Sequence, residues 1–161
     1  MRRHPVEIRW AFPHDSRDIH ALEAVVFGRN HGTLEQLRAF LDTRGNAALV
    51  ACRRKLLVGY LVYTLDLHAR LLEITNLAVD EAERRRGIAS QLLNHLLTRA
   101  GRVRGVRMAA TCSEYNVPMQ KLLRKHGFRC IQTLSEAAKG VDAYVFERPG
   151  VDSEQTRCAT G

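Results

Sequence analysis

Close cysteine pairs are missing from this chain. Cys52, Cys112, Cys130 and Cys158 are scattered, so neighbours in sequence cannot assemble a zinc site or a Cys-x-x-Cys redox centre. Reduced thiols are the expectation. Long apolar runs are also absent: none approaches the roughly 20 residues that span a bilayer. The opening Met-Arg-Arg-His-Pro lacks the apolar segment of a signal peptide, so a cytoplasmic protein is expected. Acidic residues are in deficit, 17 Asp and Glu against 25 Lys and Arg, which disfavours a carboxylate-rich cleft for a polyamine or aminoglycoside. The seven histidines are dispersed, as surface and core residues are, rather than grouped as metal ligands. No internal repeat or low-complexity block is visible.

What is present describes an ordinary folded chain. With 161 residues, 45% hydrophobic and 26% charged, it can bury a core but is short for two domains. A single domain over 1–148 is expected, followed by a mobile tail over 149–161 that carries Cys158. The net charge of +8 favours an anionic partner: nucleic acid, a phosphorylated cofactor or an acidic surface.

Patterning supplies the elements. Ile8, Trp10 and Phe12 alternate in a first strand, Glu7 to Phe12, ended by Pro13. Asp15 or Ser16 can cap a helix with Ile19, Leu22 and Val26 inward and Val25 beside them. After a break at Gly28 to Gly32, Thr33 and Gln36 have the form of a capping box for a second helix through Leu34, Leu37, Phe40 and Leu41. Strands follow at Ala47 to Cys52, Leu56 to Leu65 and Leu71 to Val79, an antiparallel meander by their short connections. A helix from Gly87 to Ala100 is long enough to lead to a parallel strand, Val106 to Cys112. A second crossover helix starts near Asn116 and Pro118, turns Met119, Leu122 and Leu123 inward, and stops at His126-Gly127. Phe128 to Leu134 and Ala143 to Glu147 read as the last strands, with a helical turn expected around Ser135 to Gly140.

One stretch organises the rest: Leu77-Ala-Val-Asp-Glu-Ala-Glu-Arg-Arg-Arg-Gly-Ile-Ala89. Beyond Gly87, the residues Ile88, Leu92, Leu96 and Ala100 recur every four positions, so a buried helical face begins at the glycine. The first amides of such a helix lack intrahelical acceptors, the macrodipole adds positive charge, and glycine lets a guest approach the backbone. With Arg84, Arg85 and Arg86 beside them, phosphate is the natural guest, although an arginine run also serves as a solvated face.

Arg84-x-x-Gly87-x-Ala89 resembles the acetyl-CoA signature Gln/Arg-x-x-Gly-x-Gly/Ala of the GNAT acetyltransferase superfamily. Asn76-Leu-Ala-Val-Asp80 looks like the strand that leads into it, and Asn116 and Lys125-His-Gly-Phe128 look like the residues that bracket the second crossover helix. Within the superfamily the chain looks most like the ribosomal-protein N-terminal alanine acetyltransferases, over Val6 to Arg148. The resemblance implies an α/β (α+β) fold: a mixed, twisted sheet of six to seven strands flanked by about four helices. It implies acetyl-CoA as donor and no metal. Leu77, Ala78 and Val79 would hold the pantetheine arm. Arg84, Arg85, Arg86, Gly87, Ile88, Ala89 and Ser90 would form the pyrophosphate cradle, and Asn116 would contact the cofactor near its thiol.

The catalytic positions depart from those relatives. Acetyl transfer needs a neutral amine and benefits from an acid near the departing thiolate. The glutamate and tyrosine that the alanine acetyltransferases use fall at Thr111 and Leu123, and neither side chain transfers a proton near neutral pH. Glu73 is the candidate base, since other GNAT branches place a glutamate at the matching distance before their signature. Flanking Leu71, Leu72, Ile74 and Leu77 are expected to desolvate it and raise its pKa. Tyr115 and Glu114 lie near the end of the fifth strand. Cys112 is expected as a small buried side chain, without a paired base for covalent catalysis.

Two functions stay open. The first is an acetyl-CoA-dependent N-acetyltransferase acting by direct attack of a primary amine, a protein N-terminus, a lysine or a small amine. The second is a catalytically silent acyl-CoA-binding module. Arg99, Arg102, Arg104, Arg107, Lys121, Arg124, Lys125 and Arg129 could add ribosome or nucleic-acid proximity, but no aromatic stacking series accompanies them. Membrane partners are not expected.

Overall fold

The computed structural model describes residues 4–151. Most of the expected tail, Cys158 included, lies outside the described residues. Among those described are seven strands and four α-helices: β1 (Glu7–Trp10), α1 (Ser16–Phe27), α2 (Leu34–Asp42), β2 (Asn46–Arg53), β3 (Leu56–Asp66), β4 (Leu71–Val79), α3 (Ile88–Ala100), β5 (Arg107–Ser113), α4 (Val117–Lys125), β6 (Arg129–Ala138) and β7 (Val141–Arg148). The strands are hydrogen-bonded in the order β1-β2-β3-β4-β5-β7-β6. The sheet is mixed: β4 and β5 are parallel, joined by the α3 crossover, while β1–β2, β2–β3, β5–β7 and β6–β7 are antiparallel. The chain divides into two compact units. One comprises the residues up to Thr64 with Asn76–Leu96, the other Leu65–Thr75 and the residues from Leu97 on.

In the first unit α1 covers the sheet with Ile19 and Leu22, which join Ala48, Val50, Cys52, Tyr60, Val62 and Ala78 in a buried cluster flanked by Val26, Leu37, Phe40 and Leu41. Each fully buried aliphatic side chain contributes about 1.5–3 kcal/mol. Val25 does not share this face and is 75% exposed. Four residues on from Ile19, the helical repeat brings Glu23 to the core instead, with 8% exposure. The capping box of α2 forms as its sequence predicts, with Thr33 Oγ1 accepting from the Gln36 amide at 3.2 Å and Gln36 Oε1 from the Thr33 amide at 2.8 Å.

The start of α1 differs from expectation. β1 stops at Trp10, and Asp15 makes no side-chain cap. Its buried carboxylate instead accepts from Arg9 at 2.7 and 2.9 Å and from the Phe12 amide at 2.6 Å. The hydrogen bonds from Arg9 outweigh burial and, with the Phe12 amide, hold the Asp15 carboxyl below the usual carboxylate range. Asp15→Asn is therefore expected to lower stability by about 1–3 kcal/mol at neutral pH. A carboxyl with a depressed folded pKa stabilises above its unfolded value near 3.8 and loses that contribution as pH falls through the folded value. In urea unfolding, the gap between wild type and variant should hold down to about pH 5 and close in stronger acid.

In the second unit β5 pairs with β7 from Met108↔Arg148 to Ser113↔Ala143. Leu123, Phe128 and Phe146 are its largest fully buried side chains. The segment expected as a helical turn before Gly140 is strand: β6 runs on to Ala138, with register irregularities at Cys130/Gln132 and Leu134/Ala138. Lys139 and Gly140, at φ 49° and 76°, make the tight reversal into β7. Two left-handed residues in succession match the twist of a hairpin.

Candidate functional site

The second half of β4 and the turn to α3 lie in the first unit. Ala78 and Val79 are buried and Leu77 is half-buried. β3 approaches closely: a Cβ on Gly59 would lie 3.1 Å from the Ala78 carbonyl oxygen and 3.3 Å from side-chain methyls of Val79 and Ile88. Glycine there lets β4 and the start of α3 seat against β3. The Asp80 amide donates to the Val58 carbonyl at 2.9 Å, and Asp80 Oδ1 accepts from the Ala82 amide at 2.8 Å. These bonds fix where the turn leaves the sheet.

The turn is curled by Arg85 and Gly87, at φ 59° and 76°. An added Cβ on Gly87 would meet nothing within 4 Å, so the backbone there faces open space. The first bond within α3 runs from the Gln91 amide to the Gly87 carbonyl at 2.9 Å, which leaves the Ile88 and Ala89 amides without helical acceptors. Ile88, Leu92, Leu93 and Leu96, each at most 1% exposed, pin the helix by its inner face.

The three arginines are not equivalent, which their adjacency in sequence conceals. Arg84 Nε donates to the Val79 carbonyl at 3.1 Å, so Arg84 braces the end of β4. Arg86 Nη1 donates to Glu83 Oε2 at 2.9 Å. Arg85 is exposed and, among the described residues, has no hydrogen-bond or ion-pair partner.

Behind β4, the Glu23 carboxylate accepts from the Tyr60 hydroxyl at 3.0 Å and from Asn76 Nδ2 at 3.1 Å, linking α1, β3 and β4. Burial, then the charge of Glu23 and the bond to it, push the Tyr60 phenol far above its ordinary value. Tyr60 is therefore a fixed donor, and Asn76 is anchored one residue before Leu77. Sequence reasoning overlooked this group, although the spacing from Ile19 to Glu23 signalled it.

The proton-transfer candidates belong to the second unit. Glu73, opposite Ala109 in the parallel ladder of Leu71–Ile74 with Arg107–Ala110, is exposed. The desolvation expected from its apolar neighbours is absent, because strand alternation buries Leu72 and Ile74 and turns Glu73 the other way. Thr111 is exposed, Leu123 is fully buried, and Tyr115 is 74% exposed. Cys112 is buried, and burial pushes its thiol up, away from a reactive thiolate. Glu114 Oε1 accepts from the Asp142 amide at 3.1 Å, and Asn116 Oδ1 caps α4 by accepting from the Met119 amide at 3.2 Å. Gln120 is buried with Nε2 donating to the Ser113 and Glu114 carbonyls, a second polar core residue that helical spacing did not flag. Among the described residues no His, Cys, Asp and Glu side chains gather into a group able to hold a metal.

Residues 10–128 match the sequence profile of the acetyltransferase (GNAT) family. This chain belongs to the GNAT family. It is an N-acetyltransferase by family, and its mixed seven-stranded sheet with four helices is the GNAT fold. No curated protein sequence matches the chain.

Solved structures agree on the fold. The ribosomal-protein-S18-alanine N-acetyltransferase from Escherichia coli superposes with a TM-score of 0.83 at 15% identity, over 93% of this chain and 97% of that one. Ard1 from Thermoplasma volcanium gives 0.80 at 20%, over 91% and 99%. Arabidopsis thaliana NAA60, in complex with acetyl-CoA, gives 0.77 at 19%, over 90% and 98%. The range of the GNAT match takes in β4, the arginine turn and α3. No helix among the described residues is long and apolar enough to cross a membrane.

Proposed function

We propose that this GNAT protein transfers an acetyl group from acetyl-CoA to a primary amine. The observation that carries the donor assignment is the Arg84-x-x-Gly87-x-Ala89 turn. Its glycine is left-handed and open, and its helix presents amides without helical acceptors. A diphosphate needs convergent donors and fixed cations, and these residues fit it. Arg85, Gly87, Ile88, Ala89 and Ser90 would bind it, Arg84 would hold the turn to β4, and Arg86 would join from its place on Glu83. Backbone groups of Leu77, Ala78 and Val79 would take the pantetheine arm, and family likeness extends the assignment to Asn116. A likeness to a structure solved with acetyl-CoA supports the same donor.

Bound acetyl-CoA supplies an activated thioester carbonyl. Glu73 accepts the proton that the acceptor ammonium must lose, directly or through water, and the free amine attacks that carbonyl. The new N–C bond would replace the C–S bond, the acylated nitrogen would give up its second proton to water, and the departing thiolate would take one from water, leaving amide, thiol and the proton on Glu73. No acyl-enzyme is required, in keeping with a buried, unactivated Cys112. The acceptor class we favour is a protein N-terminus or lysine, on the similarity to an enzyme that acetylates a ribosomal-protein alanine.

Acetyl-CoA turnover with panels of N-terminal peptides, lysine peptides and small amines tests the reading. Turnover with one of the peptide classes is expected. Measured acetyl-CoA binding with no turnover on any acceptor would overturn it.

A further inference from the structure

Glu83 stands directly before the arginine run, where a carboxylate opposes any phosphate held by the turn. Its Oε2 lies 2.9 Å from Arg86 Nη1 and 3.3 Å from Arg53 Nη2. The side chains of Glu83 and Arg53 are 17% and 18% exposed, whereas that of Arg86 is 34% exposed. Arg53, at the end of β2, is thus the inner partner and Arg86 the outer one. Arg53 is further secured by the His4 carbonyl, which accepts from its Nη1, and its buried Nε has no hydrogen-bond partner among the described residues. The carboxylate is shared between a well-packed cation and a more exposed one.

We propose that Glu83 is a built-in competitor for the cofactor diphosphate, and that Arg53 is the residue that makes the exchange reversible. The proposal rests on the acyl-CoA reading above. Without cofactor, Glu83 holds Arg86 and cancels its charge. When the diphosphate arrives, Arg86 transfers to it, and Glu83 remains paired with Arg53 instead of being stranded half-buried beside a second anion. Arg84 needs no such exchange, because its acceptor is a neutral carbonyl and its charge is never cancelled. The arrangement lowers affinity for acyl-CoA and for the CoA product alike, which favours release of a product that shares every phosphate of the substrate.

The test is calorimetric titration of acetyl-CoA and of 3′-phospho-ADP, the diphosphate-bearing fragment, into wild type, Glu83→Gln, Arg53→Gln and the double variant. Circular dichroism confirms that each is folded. Glu83→Gln is expected to bind both ligands about fivefold more tightly, and Arg53→Gln about fivefold more weakly, the scale of a partly exposed ion pair. The double variant should bind like Glu83→Gln, because Arg53 then has no carboxylate to retain. Glu83→Gln binding no tighter than wild type, or an Arg53→Gln effect equal in both backgrounds, would overturn the proposal while leaving the cofactor reading standing. Failure of wild type and all variants to bind acetyl-CoA would overturn both.

Discussion

Gly87→Val is expected to raise the dissociation constant for acetyl-CoA by about tenfold or more, well beyond what its effect on stability explains. Two effects combine at this position. A β-branched residue at φ 76° is strained, which costs about 1–2 kcal/mol of folding free energy. Among the described residues nothing occupies the space a side chain would enter, so no clash with them adds to that cost. If the space belongs to a diphosphate approaching the backbone, the valine methyls displace the guest or push it off the Ile88 and Ala89 amides. Comparison with Gly87→Ala separates the two, since alanine carries most of the backbone strain with less bulk. Titration of acetyl-CoA into both variants, alongside urea unfolding, reads the difference. A folded Gly87→Val that binds acetyl-CoA as wild type does would remove the turn from the cofactor site.

Glu73→Gln is expected to lower kcat by about 10²–10³-fold and to leave acetyl-CoA binding unchanged, the signature of a lost proton acceptor. Glutamine keeps the shape and polarity of an exposed strand residue, so folding should be little affected. Glu73 carries this expectation because the positions that hold the relatives' base and acid, and the nearby thiol, are chemically closed. Thr111 cannot act as a base near neutral pH, Leu123 is apolar and fully buried, and the Cys112 thiol is held up by burial. Its exposure means that any desolvation must come from the bound acceptor, not from the strand's own apolar neighbours. Undiminished turnover in Glu73→Gln would reject this base and leave the donor assignment untouched.

Much of this was legible in local sequence. The Thr33 and Gln36 box and the four-residue recurrence from Ile88 to Ala100 each depend on neighbours within a turn or two, and each appears where expected. The elements that departed did so through partners distant in sequence or geometry not encoded in one period. Asp15 gave up a capping role because Arg9 of β1 and the Phe12 amide claimed its carboxylate. Ser135 to Ala138 extended β6 past a register break to the pairing of Ala138 with Val141 of β7, and Lys139 and Gly140 made the reversal. Glu23 and Gln120 became core residues because donors and acceptors from other segments satisfied them.

The order of elements, the glycine turn at the head of α3 and the family were determined by the sequence itself, since helical and strand periods and a left-handed glycine are local properties. Which charges the turn can offer was decided only by tertiary structure. Three adjacent arginines look alike in a chain, but folding binds Arg84 to the Val79 carbonyl, sets Arg86 against a carboxylate shared with Arg53, and leaves Arg85 exposed. A charge's availability depends on what the rest of the fold brings within reach of it, and no spacing along the chain contains that information.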